Sequence, residues 1–233
     1  MRFLLALLIT LSLALPAHAG ICDDWDLLEK KVRDGAIGKE AAREEIVGLH
    51  GRLLATYRDG DARPAPLVFP VQGYGPRAIG GRRGNGYQPA GYRFYDGNRH
   101  GGHPAHDIFI RDRNQDGRDD ATGEPVSIVS ASAGVVVATN PQWERPSRIR
   151  GGKYVWVLDP ATERYYYYAH LAEVKVAPGQ RVEAGTVVGI LGRTGRNAYP
   201  RRSPTHLHFM CLDFDGGRMT PRNTYRELLP ALH

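Results

Sequence analysis

Three short stretches of this chain concentrate residues that can hold a metal or move a proton. They are "NRHGGHPAHDIF" at 98–109, "RYYYYAHL" at 164–171 and "THLHFMC" at 205–211. In an extended chain alternate side chains share a face, so His206 and His208 point the same way, with Met210, and Cys211 points the other way. In the first stretch Ile108 and Ile110 take one face of a strand, and Asp107 and Phe109 the other. His103 has the parity of Asp107, whereas His106 has the opposite parity. His100 lies beyond Gly101-Gly102, outside the alternation. A helical reading of His103 and Asp107 is disfavoured by Gly101, Gly102 and Pro104. In the tyrosine run the same rule groups Tyr166, Tyr168 and His170 on one face and Tyr165, Tyr167 and Ala169 on the other. Each motif alone has a plainer explanation in strand packing.

Taken together, the motifs offer two histidines and one carboxylate as ligands, with histidines to spare. Three protein ligands and one open position for water is zinc chemistry. Two neutral imidazoles and one carboxylate leave the ion a net charge of about +1, so it stays a Lewis acid able to acidify water and polarise a carbonyl.

The ordered series His103-Pro-Ala-His-Asp107, Tyr168-Ala-His170-Leu and His206-Leu-His208-Phe resembles the lysostaphin-type (LytM) zinc endopeptidases, which cut peptide bonds in bacterial peptidoglycan. "SASAGVVVAT" and "VAPGQRVEAGTVVGILGRTG" are similar to flanking segments of that family, the latter to its glycine-punctuated hairpin, and the likeness covers about residues 66–215. The resemblance implies that His103, Asp107 and His208 ligate zinc and that His170 and His206 form the catalytic pair, without dividing the role of base between them. It departs from the family at His106, where a small or apolar residue is usual, and in its N-terminal helices. It implies a mainly β fold, an antiparallel sandwich or groove of the lysostaphin-like, duplicated hybrid motif type. The expected partner is a peptidoglycan peptide, with no nucleic acid, no integral membrane segment and a monomeric chain. Two other readings keep the scaffold: a wall-binding module or hydrolase activator without catalysis, and a zinc peptidase of protein substrates.

Other segments frame this site. "MRFLLALLITLSLALPAHAG" has the charged start, apolar run and Ala17-His18-Ala19 pattern of a secretory leader, expected to span residues 1–19. Residues 20–60 are expected to form a short helical hairpin. Residues 23–34 start from an Asp cap and bury Trp25, Leu28 and Val32, and residues 39–57 bury Ala42, Ile46, Leu49, Leu53 and Tyr57. His50 sits beside that stripe as a packing or surface residue. Residues 61–233 carry strand patterns separated by turns and are expected to be the β-rich zinc endopeptidase domain. The formal net charge of +6 suits an anionic cell envelope, though a basic soluble surface explains it equally well. In an oxidising compartment Cys22 and Cys211, the two cysteines, suggest one disulfide, with two unpaired buried thiols as the competing reading. "DRNQDGRDDATGE" aligns Asp112, Asn114, Asp116, Gly117 and Asp120 with positions 1, 3, 5, 6 and 9 of a calcium loop. Gly123 stands where that loop needs Glu, so a solvated turn is the competing reading. "GGRRGNG" lacks the spacing of a phosphate-binding loop.

Overall fold

The computed structural model describes residues 19–60 and 63–231. The expected leader therefore lies outside the described residues apart from Ala19. Helix α1 (Ala19–Asp34) begins one turn before the anticipated Asp cap, and Asp23 lies inside it. The reason is the extra buried turn: Cys22 and Trp25 are both fully buried, so the apolar stripe extends back along the helix. Gly35, at φ +70°, ends α1, with Ala36 N–H donating to the Lys31 carbonyl at 2.8 Å. Such a left-handed turn at a helix end favours glycine. Helix α2 (Lys39–Tyr57) buries Ala42, Ile46, Leu49, Leu53 and Tyr57, and also His50. His50 bonds the Tyr165 hydroxyl at 2.8 Å and stacks on Phe214 with ring centroids 3.7 Å apart.

The remainder is an open antiparallel sheet of nine strands: β1 (Ala105–Phe109), β2 (Ser127–Val129), β3 (Gly134–Asn140), β4 (Lys153–Asp159), β5 (Arg164–Val174), β6 (Arg181–Val182), β7 (Val187–Leu191), β8 (His206–Asp215) and β9 (Arg218–Arg222). The main path runs β1-β8-β5-β4-β3-β6, while β9 pairs β8, and β7 pairs both β5 and β2. Strand β8 is long enough to pair β1 through its first half and β9 through its second. The sequence reading did not include β9; its Pro221 lacks a ladder donor, as suits a sheet edge. A short helix α3 (Tyr225–Leu228) follows.

Alternation along the strands builds two cores. Val155, Val157, Tyr166, Tyr168, Leu207, Phe209 and Cys211 pack with Phe69, Val71 and Ile128 on one face. Tyr154, Trp156, Leu158, Tyr165 and Leu212 pack beneath α1 and α2 on the other. Trp25 stacks on Tyr165 at 5.2 Å and meets Trp156 edge-on at 5.9 Å. The disulfide expectation is corrected by this arrangement. Cys22 and Cys211 are free, buried in separate cores on opposite faces of the sheet, and Cys22 instead contacts the Tyr57 hydroxyl. No helix among the described residues is long and apolar enough to cross a membrane.

A polar contact fastens α1 to the sheet. The Tyr154 hydroxyl donates to Glu29 at 2.7 Å and accepts from Arg33 at 2.9 Å. Burial raises the Glu29 carboxyl to about 7, against the opposing pull of Tyr154 and Arg33. A carboxyl whose folded pKa is raised contributes stability that is complete below its ordinary pKa and is lost as pH rises through the folded value. Glu29→Gln keeps an acceptor for Tyr154 and cannot ionise. Its stability relative to wild type is expected to rise between pH 5 and pH 8 by on the order of 2–3 kcal/mol. Urea unfolding of both proteins at the two pH values checks this, and identical pH dependence would contradict it.

Candidate active site

The site lies on the helix-bearing face, at the end of the three strands β1, β8 and β5. Asp107 on β1 stands directly opposite His208 on β8, and His208 stands opposite Ala169 on β5. His206, two residues earlier, shares the face of His208, its Nε2 3.6 Å from Asp107 Oδ1. His103 reaches the group from just before β1. It is fixed by a two-way backbone bridge with Gln88, with N–H···O distances of 2.6 and 2.7 Å. Its Nε2 is 3.1 Å from Asp107 Oδ1, and His208 Nδ1 is 3.2 Å from the same oxygen.

His170 enters by a local irregularity. It has φ +70° and is the extra residue where the β4–β5 register shifts between Lys153 and Tyr154. Such a bulge re-aims a side chain. His170 therefore turns onto the face of Tyr167, and the expected grouping with Tyr166 and Tyr168 is corrected; those two tyrosines are core residues of the opposite face. Its ring centroid is 5.0 Å from that of His206 and 5.6 Å from that of His208.

Backbone carbonyls fix the protons on these rings. A carbonyl only accepts, so each ring nitrogen facing one carries hydrogen. His103 Nδ1 donates to Gly86 at 3.0 Å, His170 Nδ1 to Thr194 at 2.8 Å and His206 Nδ1 to Pro204 at 2.7 Å. In neutral His170 and His206 Nε2 then keeps its lone pair, whereas His103 donates to Asp107 from Nε2 only when its ring carries both protons. Burial disfavours ionised Asp107, but hydrogen bonds from His103 and His208 outweigh it and hold the carboxyl well below the usual range. The bond to Asp107 raises the pKa of His103, whereas burial lowers that of His208. Burial, reinforced by His206 and His208, drives the pKa of His170 well down, so this ring is neutral near pH 7.

His103, Asp107 and His208 each offer a ligand atom, all within 4.8 Å of one another, and they form the one such group among the described residues. The donor set fits a divalent ion physically. Asp107 Oδ1 faces ring nitrogens of three histidines, and a cation there replaces the protons that such contacts otherwise require. The outward hydrogen bond of His103 to Gly86 is the support that orients a ligating imidazole.

The remaining candidates lie elsewhere. His106 is buried on the other face, bonded to Asn223 Oδ1 at 3.0 Å and stacked against Tyr87. His100 packs edge-on against Tyr92 and lines the cavity beside the ligand group. The calcium expectation finds no support: the carboxylates of this loop are engaged with its own backbone and with Thr205. Asp112 accepts the N–H groups of Asp116 and Gly117 and the Thr205 hydroxyl. Asp116 accepts from Asn114 Nδ2 and Arg118 N–H, and Asp120 from Arg113 N–H.

A cavity of about 220 Å³ opens from the histidines. Its aromatic wall includes Tyr92, Tyr154, Trp156 and Tyr167, and α1 reaches it through Glu29, Val32 and Arg33. Four contributions escape the sequence motifs: the anchoring carbonyls of Gly86, Thr194 and Pro204, and Arg150 on the cavity wall. Glycines were the available signal. A Cβ on Gly152 would fall 2.3 Å from Gly195 N, and one on Gly195 2.3 Å from the Arg150 carbonyl. Gly86 belongs to the glycine-rich loop that lacks phosphate-binding spacing, and that loop instead supports His103.

Fold and site together define an open antiparallel sheet carrying a clustered histidine–aspartate group. Residues 113–221 match the model of peptidase family M23, which includes His170, His206 and His208 and begins after His103 and Asp107. The chain thus resembles the lysostaphin-type peptidases, as its motifs indicate. No curated protein matches it. Among solved structures, it is similar to a protein described as a glycyl-glycine endopeptidase lytM from Ruminococcus gnavus, at 26% identity over 54% of this chain and 47% of that one, with a TM-score of 0.40. A zinc-containing peptidase from Vibrio cholerae matches at 22% identity, over 67% and 39% of the two chains, with a TM-score of 0.43. The antimicrobial peptidase lysostaphin from Staphylococcus simulans matches at 22% identity, over 55% and 43%, with a TM-score of 0.37. The chain spans about half the length of the first of these proteins (47%).

Proposed function

We propose that this protein is an exported zinc metallo-endopeptidase that hydrolyses peptide bonds in peptidoglycan cross-links or stem peptides. The observation that carries the reading is the convergence of His103, Asp107 and His208 within 4.8 Å, with His170 and His206 beside them. Export is assigned to the leader-like residues 1–19, and catalysis to the β-rich part from residue 61 onward.

In this reading His103 Nε2, an Asp107 carboxylate oxygen and His208 Nδ1 hold zinc. Bound zinc supplies a Lewis acid that polarises the scissile carbonyl and lowers the pKa of water. His170 and His206, held through Nδ1 by backbone carbonyls, present Nε2 as proton acceptors. One of them takes a proton from the attacking water and passes it to the departing amine, so that water and peptide become a carboxylic acid, which then ionises, and an amine. The protonated ring also stabilises negative charge developing on the carbonyl oxygen. His170 is held through Nδ1, so its Nε2 faces the site as the acceptor.

The test is digestion of purified peptidoglycan by the full chain. The expected result is release of new amino termini that stops on chelation and returns with zinc. Absence of release from zinc-loaded, folded protein contradicts the reading.

A further inference from the structure

Arg150 stands on the cavity wall, with no acidic partner among the described residues. Its Nη1 donates to the His100 carbonyl at 2.8 Å, and its backbone N–H to Asn98 Oδ1 at 3.3 Å. The next residue, Gly151, receives the His170 N–H on its carbonyl at 2.9 Å. The guanidinium is thus built into the same framework as the site rather than swinging from a free loop. Among the described residues, no ion pair includes Arg150, and no protein acceptor meets its Nε or Nη2 hydrogens.

The acids that share its cavity are otherwise engaged. Asp107 is surrounded by His103, His206 and His208, and Glu29 accepts from Tyr154 at the α1 end. Burial lowers the pKa of the Arg150 guanidinium and Arg196 pushes it the same way, as befits a cation without a carboxylate. A half-buried guanidinium with open donors favours a carboxylate, which it can grip through two parallel hydrogen bonds. The aromatic surface of Tyr92 and Tyr167 in the same cavity suits the apolar stem on which such a carboxylate would be carried.

We infer that Arg150 and this cavity form a substrate subsite for a residue that bears a free carboxylate and lies beside the scissile peptide bond. The subsite deepens the peptidase reading and rests on it for the position of that bond. It makes the enzyme selective for acidic peptides over their amides, because a carboxamide cannot form a charged pair with Arg150.

The experiment uses two synthetic peptides that differ only in carrying a free carboxylate or its primary amide near the cleavable bond. Their affinities for the full-length protein are measured by fluorescence anisotropy, and kcat/KM is measured alongside. Wild type is expected to prefer the carboxylate by about tenfold or more. Arg150→Gln should bring the two peptides within about twofold of each other, while Arg150→Lys, which keeps the charge, should retain a weaker preference. Thermal melting identifies any variant that fails to fold, and Arg150→Lys then carries the comparison. Equal binding of both peptides by wild type, or an undiminished preference in folded Arg150→Gln, overturns the subsite. A carboxylate preference in binding with no cleavage of either peptide supports the subsite and counts against the peptidase reading, so the two are separable.

Discussion

His208→Ala is expected to remove zinc from the protein and to lower peptidoglycan cleavage by about 10³-fold or more, a loss of at least about 4 kcal/mol in transition-state stabilisation. His208 supplies one of three converging ligand atoms and one of the contacts to Asp107. A centre left with His103 and Asp107 has two donors, too few for the usual three-ligand catalytic arrangement. The side chain is 19% exposed, and its removal leaves the surrounding β1–β8 and β5–β8 ladders intact, so the fold should survive. Elemental analysis and digestion rates check the two halves together. A variant that keeps stoichiometric zinc and full activity would show that the ion is held elsewhere.

The second large effect separates holding the metal from using it. His170→Ala and His206→Ala are each expected to retain zinc while slowing hydrolysis by about 10²–10⁴-fold. Neither residue belongs to the converging ligand group, and each presents Nε2 from a ring anchored on a carbonyl. The double variant should be little slower than the worse single one, because the two rings serve one proton transfer. Each substitution also leaves an anchoring carbonyl unpaired, at a cost of about 1–3 kcal/mol if no water replaces the ring. Melting temperatures must therefore accompany the rates. A wall-binding or activator protein on this scaffold would keep its full biological effect in the double variant.

The sequence makes part of this arrangement readable for simple geometric reasons. Period-two alternation puts His206 and His208 on one face and turns His106 away from Asp107, and the structure has them so. The 3.6-residue stripe of α2 is likewise visible, because each turn supplies an apolar residue, at Ala42, Ile46, Leu49, Leu53 and Tyr57. Alternation fails at His170, where one extra residue at φ +70° changes the face. Nothing in "YYAHLA" announces that bulge, since the residue there is not glycine. Distant pairings are equally hidden. The sequence does not say that Thr194 and Gly86 hold histidines by their carbonyls, or that α1 walls the cavity. Residue type alone does not show where bonding is local. The acidic loop after β1 has the composition of a cation site, yet its carboxylates cap its own backbone. The cysteine pair suggested a bridge that the two-sided sheet keeps apart.

Mass spectrometry of the fragments released from purified peptidoglycan tests the central claim most directly. The account predicts zinc-dependent products in which one peptide bond has gained the elements of water, exposing a new amino terminus and a new carboxylate, with none from His208→Ala. Intact peptides, or products cut only in the glycan, would contradict it.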